Sequence, residues 1–260
     1  MSHRANTIRQ TRRGGTGPTA LSLPSLLSVL FLLTSSALLV FAVADIRQSA
    51  QFADIFLVAK RLEQSGKVSP EILARTAANT DAIVSGDYCR SDIVMAGATL
   101  VLTRLDTANQ ITDYNAWVRA SNEAERYMRH AVSCMPTESN LWLRLAIVRA
   151  VIVQEPRAIA RLMIESAWLA PVDEVALSAR VYFWNRLHQA TLEEARTSVE
   201  SDISLFLKFE DPRKVGLVLA VVSPALQPYI EEAGSKLPPD RKAVLLASGV
   251  RALAALRGNR

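Results

Sequence analysis

Residues 124–146 read AERYMRHAVSCMPTESNLWLRLA, and this stretch decides the fold that the sequence predicts. Small or apolar side chains recur three and four residues apart at Ala124, Met128 and Ala131, which is the spacing of one helix face. Pro136 interrupts this pattern, because proline cannot continue a helix. A second apolar helical pattern follows the proline. The stretch therefore predicts two helices joined by a short turn.

The same theme extends outward on both sides of this hairpin. Helical stretches of about 12 to 20 residues alternate with short turns marked by proline or by helix-starting polar residues. These turns lie at Asp113, Pro136, Pro156, Pro171, Thr191, Pro212, Pro224 and Pro238-Pro239. No stretch alternates apolar and polar residues over the length of a strand. The sequence therefore predicts an all-α fold.

The spacing on the two sides of Pro136 resembles the tetratricopeptide repeat (TPR). In the second helix of that repeat, alanine, an aromatic residue, alanine and proline stand at the spacing found here, and the next repeat opens with an aromatic six residues after the proline. The residues that carry the resemblance are Ala124, Met128, Ala131, Pro136, Trp142, Leu145, Ala146, Ala158 and Leu162, followed one residue out of register by Ala160, Ile164, Ala167 and Pro171. Met128 replaces the usual aromatic, so a plain helical bundle is the alternative.

The resemblance implies a packing role for these residues and a binding role for the surface. In such repeats small residues let the two helices of a hairpin approach closely, and the aromatic fills the space between hairpins. The concave side of the array binds proteins. Trp117, which the repeat register leaves unexplained, and Arg149, which stands where a tyrosine is common, are the possible partner contacts.

The N-terminal segment predicts a membrane helix. Residues 21–44 read LSLPSLLSVLFLLTSSALLVFAVA without a charge, and about 20 apolar residues suffice to cross a bilayer. Four arginines and no acid precede this run, so the excess of positive charge should hold the N-terminus in the cytoplasm. Ala42-Val43-Ala44 also fits a signal peptidase site, which leaves cleavage as the alternative.

This topology predicts four segments in an envelope protein of bacterial type. Residues 1–20 form a basic cytoplasmic tail, residues 21–44 the transmembrane helix, residues 45–66 a juxtamembrane helical stem, and residues 67–260 an exported TPR-like domain. The predicted location is the inner membrane, with the C-terminal domain in the periplasm. Without the four N-terminal arginines the chain is near neutral, so no nucleic-acid partner is predicted.

Both cysteines, Cys89 and Cys134, follow the membrane segment. Because exported domains meet oxidising conditions, this even count predicts one disulfide, with two buried thiols as the alternative. No C-x-x-C spacing or His cluster indicates redox catalysis or a metal site.

Catalytic motifs are missing from the sequence. It contains no G-x-S-x-G elbow, no H-E-x-x-H helix and no phosphate-binding glycine loop, so we predict neither an enzyme nor a cofactor. A membrane-tethered scaffold or assembly factor that binds envelope proteins is the first functional hypothesis. By analogy with similar single-pass proteins, it would serve surface-polysaccharide synthesis or secretion. The alternatives are a glycan-binding protein that uses Trp117 beside Asp113, and a structural subunit that acts through its transmembrane helix.

Overall fold

A computed structural model describes residues 23–253, with side-chain surroundings from residue 27 onward. This part of the chain contains fourteen α-helices and no strand, which confirms the all-α prediction. The predicted cytoplasmic tail, residues 1–20, lies outside the described residues. So do the first two residues of the predicted transmembrane segment.

The helices are connected by short turns throughout. Their bounds are α1 Leu23–Gln51, α2 Ala53–Glu63, α3 Pro70–Ala78, α4 Asp81–Ser85, α5 Ser91–Thr107, α6 Tyr114–Cys134, α7 Ser139–Ile152, α8 Pro156–Leu169, α9 Glu174–Trp184, α10 Gln189–Glu194, α11 Arg196–Phe209, α12 Pro212–Val218, α13 Gln227–Ser235 and α14 Pro239–Ala247.

Helix α1 forms a unit of its own. Its segment Leu27–Gln51 has a mean hydropathy of 2.4 and is long and apolar enough to cross a membrane. Large side chains such as Phe31, Leu38 and Phe41 are exposed along it. The length, the composition and the exposure of this segment are compatible with the predicted transmembrane helix.

The second unit begins at Phe52, earlier than the sequence analysis placed the domain boundary. Helix α2 packs against α3 and α5, and Phe52, Ile55 and Ala59 are buried in the core. The predicted stem, residues 45–66, is therefore divided: its first part continues α1, and its second part belongs to the folded domain. The apolar stripe read as a stem is a core-facing stripe.

Two hydrophobic cores share helix α7. Leu141, Leu145 and Val148 point into the core formed with α2 to α6, whereas Leu143 and Ala146 belong to the core that continues to α14. A helix that is apolar on most of its circumference has to be buried on more than one face. Helix α7 is thus the element that joins the two halves of the domain.

Helices α5 and α6 pack as one hairpin, and α7 and α8 as the next. At the first hairpin Gly97 lies so close to Tyr127 that a Cβ would collide with the ring. The Tyr127 hydroxyl donates a hydrogen bond to the carbonyl oxygen of Val94 (2.9 Å), and burial raises the pKa of Tyr127. The absence of a side chain at residue 97 therefore sets how closely the two helices approach.

The residues that carry the TPR resemblance occupy distinct environments. Ala124, Met128, Ala131, Leu145 and Ala146 are buried; Trp142, Ala158 and Leu162 are half-buried; and Pro136 and Pro171 lie in exposed turns. The Trp142 indole N–H donates to the carbonyl oxygen of Pro136 (2.8 Å), so the tryptophan also closes the turn between α6 and α7. In α8 the shifted register places Ala160 and Ala167 in buried positions.

Candidate partner-binding site

A groove lies between α5, α6 and α7. Its volume is about 450 Å³, within the range of ligand pockets in general. Most of its surface is apolar, with one hydroxyl, one acid and one arginine. The lining residues are Leu102, Thr103, Leu105 and Asp106 from α5, Trp117 from α6, and Arg144, Ile147, Val148 and Val151 from α7.

Helical periodicity explains how α7 presents this surface. Arg144, Ile147, Val148 and Val151 are spaced by three and four residues, so they form one stripe along about two turns. Side chains on the other two faces of α7 pack into the two hydrophobic cores. Ile147 and Val151 remain exposed, at 37% and 44%. Val148, between them, is buried in the core formed with α2 to α6, so the open apolar part of the stripe consists of Ile147 and Val151.

Arg144 is the cation of the groove. Its Nε donates to Oδ1 of Asn140 (3.1 Å), and within residues 23–253 no carboxylate pairs with its guanidinium. Burial lowers the pKa of Arg144, while the negative charge of Glu138 acts in the opposite direction. An arginine side chain nonetheless stays charged in proteins. The groove therefore contains a partly desolvated positive charge with unused N–H donors.

Asp106 supplies the opposite charge on the α5 wall. Its side chain is exposed, and no ion pair within the described residues involves it. The hydroxyl of Thr103 is already used, since it donates to the carbonyl oxygen of Thr99 (2.7 Å). The groove thus offers one acceptor and one cationic donor, separated between two helices and surrounded by apolar side chains.

The start of α6 positions Trp117. Asp113 caps this helix, accepting a hydrogen bond from the backbone N–H of Ala116 (2.9 Å), and its carbonyl oxygen accepts from Trp117 N–H (3.0 Å). Trp117 is half-buried and lies in contact distance of the Tyr114 ring (5.8 Å between centroids). The carboxylate that the sequence analysis paired with Trp117 for glycan binding is thus used as a helix cap.

The two predicted partner contacts lie in different surroundings. Trp117 lines the groove. The guanidinium of Arg149 lies between two carboxylates, Glu125 of α6 (2.6 Å) and Glu155 (3.1 Å), where it links α6 to α7. Arg144 was not among the residues predicted from the sequence. Its signal was its position in the same helical stripe as Ile147, Val148 and Val151.

Cys89 and Cys134 form a disulfide, with 5.0 Å between their Cα atoms. It fastens the turn before α5 to the last residue of α6. His130 is buried beside it: Nε2 lies 3.4 Å from Cys134 Sγ and 3.0 Å from the carbonyl oxygen of Tyr88. These three side chains carry atoms that ligate metals, but both sulfurs are joined to each other here. The arrangement is that of a structural crosslink, which fits an oxidising compartment.

The groove is suited to recognition by shape and charge. The residues that line it include no histidine and no cysteine, and the Thr103 hydroxyl donates to the carbonyl oxygen of Thr99. No protein-family model, curated protein or solved structure matches this chain.

Proposed function

We propose that this protein is a non-catalytic, membrane-tethered scaffold or assembly factor that binds a protein of the cell envelope through the groove of α5, α6 and α7. Helix α1 would anchor the chain in the inner membrane, with the N-terminus in the cytoplasm and the helical domain in the periplasm. The oxidised Cys89–Cys134 pair is compatible with that compartment.

The observation that carries the proposal is the groove side of α7, where Ile147 and Val151 are exposed and Arg144, one turn before Ile147, pairs with no carboxylate among the described residues. Exposed apolar surface is stabilised when a partner covers it. A partly buried charge is stabilised when the partner also supplies an opposite charge or hydrogen-bond acceptors. Trp117 adds an aromatic side chain of the kind enriched in protein interfaces.

The two hairpins α5–α6 and α7–α8 support a TPR-like arrangement as part of this proposal. Each pairs consecutive helices across a short turn, and α6 packs against both α5 and α7. In a TPR-like array the first helices of successive hairpins border the binding groove. Helices α5 and α7 would hold these positions. By analogy with similar single-pass proteins, surface-polysaccharide synthesis or secretion is the proposed pathway.

A matched pair of variants tests the proposal. Tagged full-length chains are crosslinked in native membranes, and captured proteins are identified by mass spectrometry. Ile147→Arg introduces a charge into the groove, and Leu217→Arg introduces the same charge at an exposed apolar residue outside it. We expect specific envelope proteins to be captured by the wild-type chain and Leu217→Arg, and to be lost with Ile147→Arg.

Two other results would redirect the proposal. If a chain in which residues 26–41 are replaced by an unrelated transmembrane helix loses the same partners while Ile147→Arg keeps them, the membrane helix carries the contacts. If Ile147→Arg leaves protein capture unchanged, and the chain binds oligosaccharides that Trp117→Ala no longer binds, the glycan-binding alternative replaces the scaffold proposal.

A further inference from the structure

The charged side chains of the groove restrict the chemistry of a bound partner more than the apolar surface of the groove does. Arg144 on α7 and Asp106 on α5 both line it, and neither is paired within the described residues. A purely apolar occupant would exclude water from Arg144 without replacing the lost hydrogen bonds, which is costly for a charged group. A carboxylate on the occupant would both replace these hydrogen bonds and compensate the charge of Arg144.

The shape of the groove indicates the form of that occupant. The α7 stripe runs from Arg144 to Val151, about 10 Å along the helix axis. Leu102, Leu105 and Asp106 form a second helical stripe on α5, spaced by three and four residues. Two facing helical stripes with an open side are the setting in which an amphipathic helix binds by inserting its apolar face.

We propose that the groove receives an amphipathic helix of a partner protein, whose apolar face carries an internal Glu or Asp side chain for Arg144 and a Lys or Arg side chain for Asp106. The inference rests on the proposed scaffold function and names the recognition chemistry of its site. Arginine and carboxylate form charge-assisted, often bidentate hydrogen bonds, and two opposite charges on separate walls fix the orientation of the bound helix.

A peptide selection on the full-length chain in lipid nanodiscs tests this inference. The library displays random segments of about 16 residues, roughly four helical turns, fused at both ends so that no free C-terminal carboxylate is present. Binders to Ile147→Arg are removed by counter-selection. We expect the remaining binders to carry an acidic residue within an apolar helical stripe, with a basic residue on its flank.

The charge pairing is then measured directly with the best selected peptide and its Glu→Gln or Asp→Asn version. Removing the peptide's carboxylate should weaken binding to the wild-type chain about tenfold or more, and should have little effect on binding to Arg144→Gln. Asp106→Asn, at an exposed residue that folding does not require, should weaken the same peptide in a salt-dependent manner. Arg144→Lys keeps the charge and controls for folding of the groove.

Several outcomes would overturn the inference. The first is that the selected peptides carry no acidic residue. The second is that removing the peptide's carboxylate weakens binding equally to the wild-type and Arg144→Gln chains. The third is that no peptide is selected at all. If peptide binding vanishes in nanodiscs of anionic lipid but persists in neutral lipid, the groove is assigned to lipid. The scaffold function fails separately, when Ile147→Arg leaves protein capture in native membranes unchanged.

Discussion

Single buried residues hold the C-terminal half of the domain together. Arg180 and Asp202 are 0% and 1% exposed and form a bidentate pair, with both N···O distances 2.8 Å. Asp202 also accepts from the Trp184 indole N–H (2.8 Å), and Arg180 donates to the carbonyl oxygen of Ala170 (3.1 Å). Because every partner is satisfied, the charges are tolerated inside the core, and they link α9 to α11.

Replacing Asp202 tests this role. In Asp202→Asn the Arg180 guanidinium loses its compensating charge in the core, so we expect the free energy of unfolding to fall by about 3 to 5 kcal/mol. Denaturant unfolding of the full-length chain in detergent micelles, followed by tryptophan fluorescence, measures the loss.

The matched control is an exposed ion pair. Arg157 and Glu194 are 80% and 43% exposed in their side chains, so Glu194→Gln should cost less than about 1 kcal/mol. Equal losses in the two variants would show that the buried pair has no special importance.

At the scale of helices, crosslinks fix how α5, α6 and α7 are arranged around the groove. The disulfide joins the turn before α5 to the end of α6 across a sequence separation of 45 residues. Glu125 of α6 binds Arg149 of α7 (2.6 Å) and Arg129 on its own helix (2.8 Å). The first link is covalent and the second electrostatic, so they should respond to different conditions.

Removing the disulfide should loosen the N-terminal half of the domain. A crosslink closing a loop of this length stabilises by about 4 kcal/mol in the chain-entropy estimate. We expect Cys89→Ala combined with Cys134→Ala to lower the unfolding midpoint by a corresponding amount, with retained helical circular dichroism. Reduction of the wild-type chain should produce a similar loss, and the double variant should be insensitive to reductant. A wild-type chain extracted from cells with two free thiols would contradict the bridge.

The Glu125 link should make stability depend on acid pH. Burial raises the pKa of Glu125, but the hydrogen bonds and charges of Arg129 and Arg149 outweigh it, and the net pKa lies below the ordinary value of 4.5. A carboxyl with a lowered folded-state pKa stabilises fully above its unfolded value and loses that contribution as pH falls through the folded value.

Between pH 6 and pH 3 the free energy of unfolding should therefore fall less in Glu125→Gln than in the wild-type chain. Thermal unfolding at a series of pH values in this interval measures the difference. Glu194→Gln, at the exposed pair, serves as the control that should keep the wild-type slope. An unchanged slope in Glu125→Gln would exclude this carboxyl as a contributor.

At the scale of the whole molecule, the described chain consists of one apolar helix and one folded domain, to which the proposed function assigns anchoring and binding. The predicted topology places the domain outside the cytoplasm. A phosphatase reporter that is active only after export should therefore be active when fused to the C-terminus. An N-terminal tag should stay on the chain and resist carbonate extraction with it. Recovery of a shorter, soluble chain without the tag would mean that residues 42–44 are a cleavage site.

Local patterns in the sequence were sufficient for the fold class, for one apolar helix long enough to span a membrane, and for most of the turns. Apolar periodicity, a 24-residue uncharged run and the prolines are properties of short segments, and their consequences do not depend on distant neighbours. The number and compartment of the cysteines likewise indicated the bridge between Cys89 and Cys134. The fold class and the crosslink follow the prediction. The turn predicted at Thr191 is wrong, because this residue is buried inside helix α10.

Tertiary structure alone decided which surfaces are buried and which remain open. Helix α2 carries an apolar stripe that suits a stem or a core equally, and its contact with α5 settles the matter. Helix α7 is apolar on most sides, so periodicity could not tell that Arg149 faces Glu125 while Arg144 faces the groove. The physical reason is that an exposed face is defined by the absence of a neighbour, and neighbours come from segments far away in sequence.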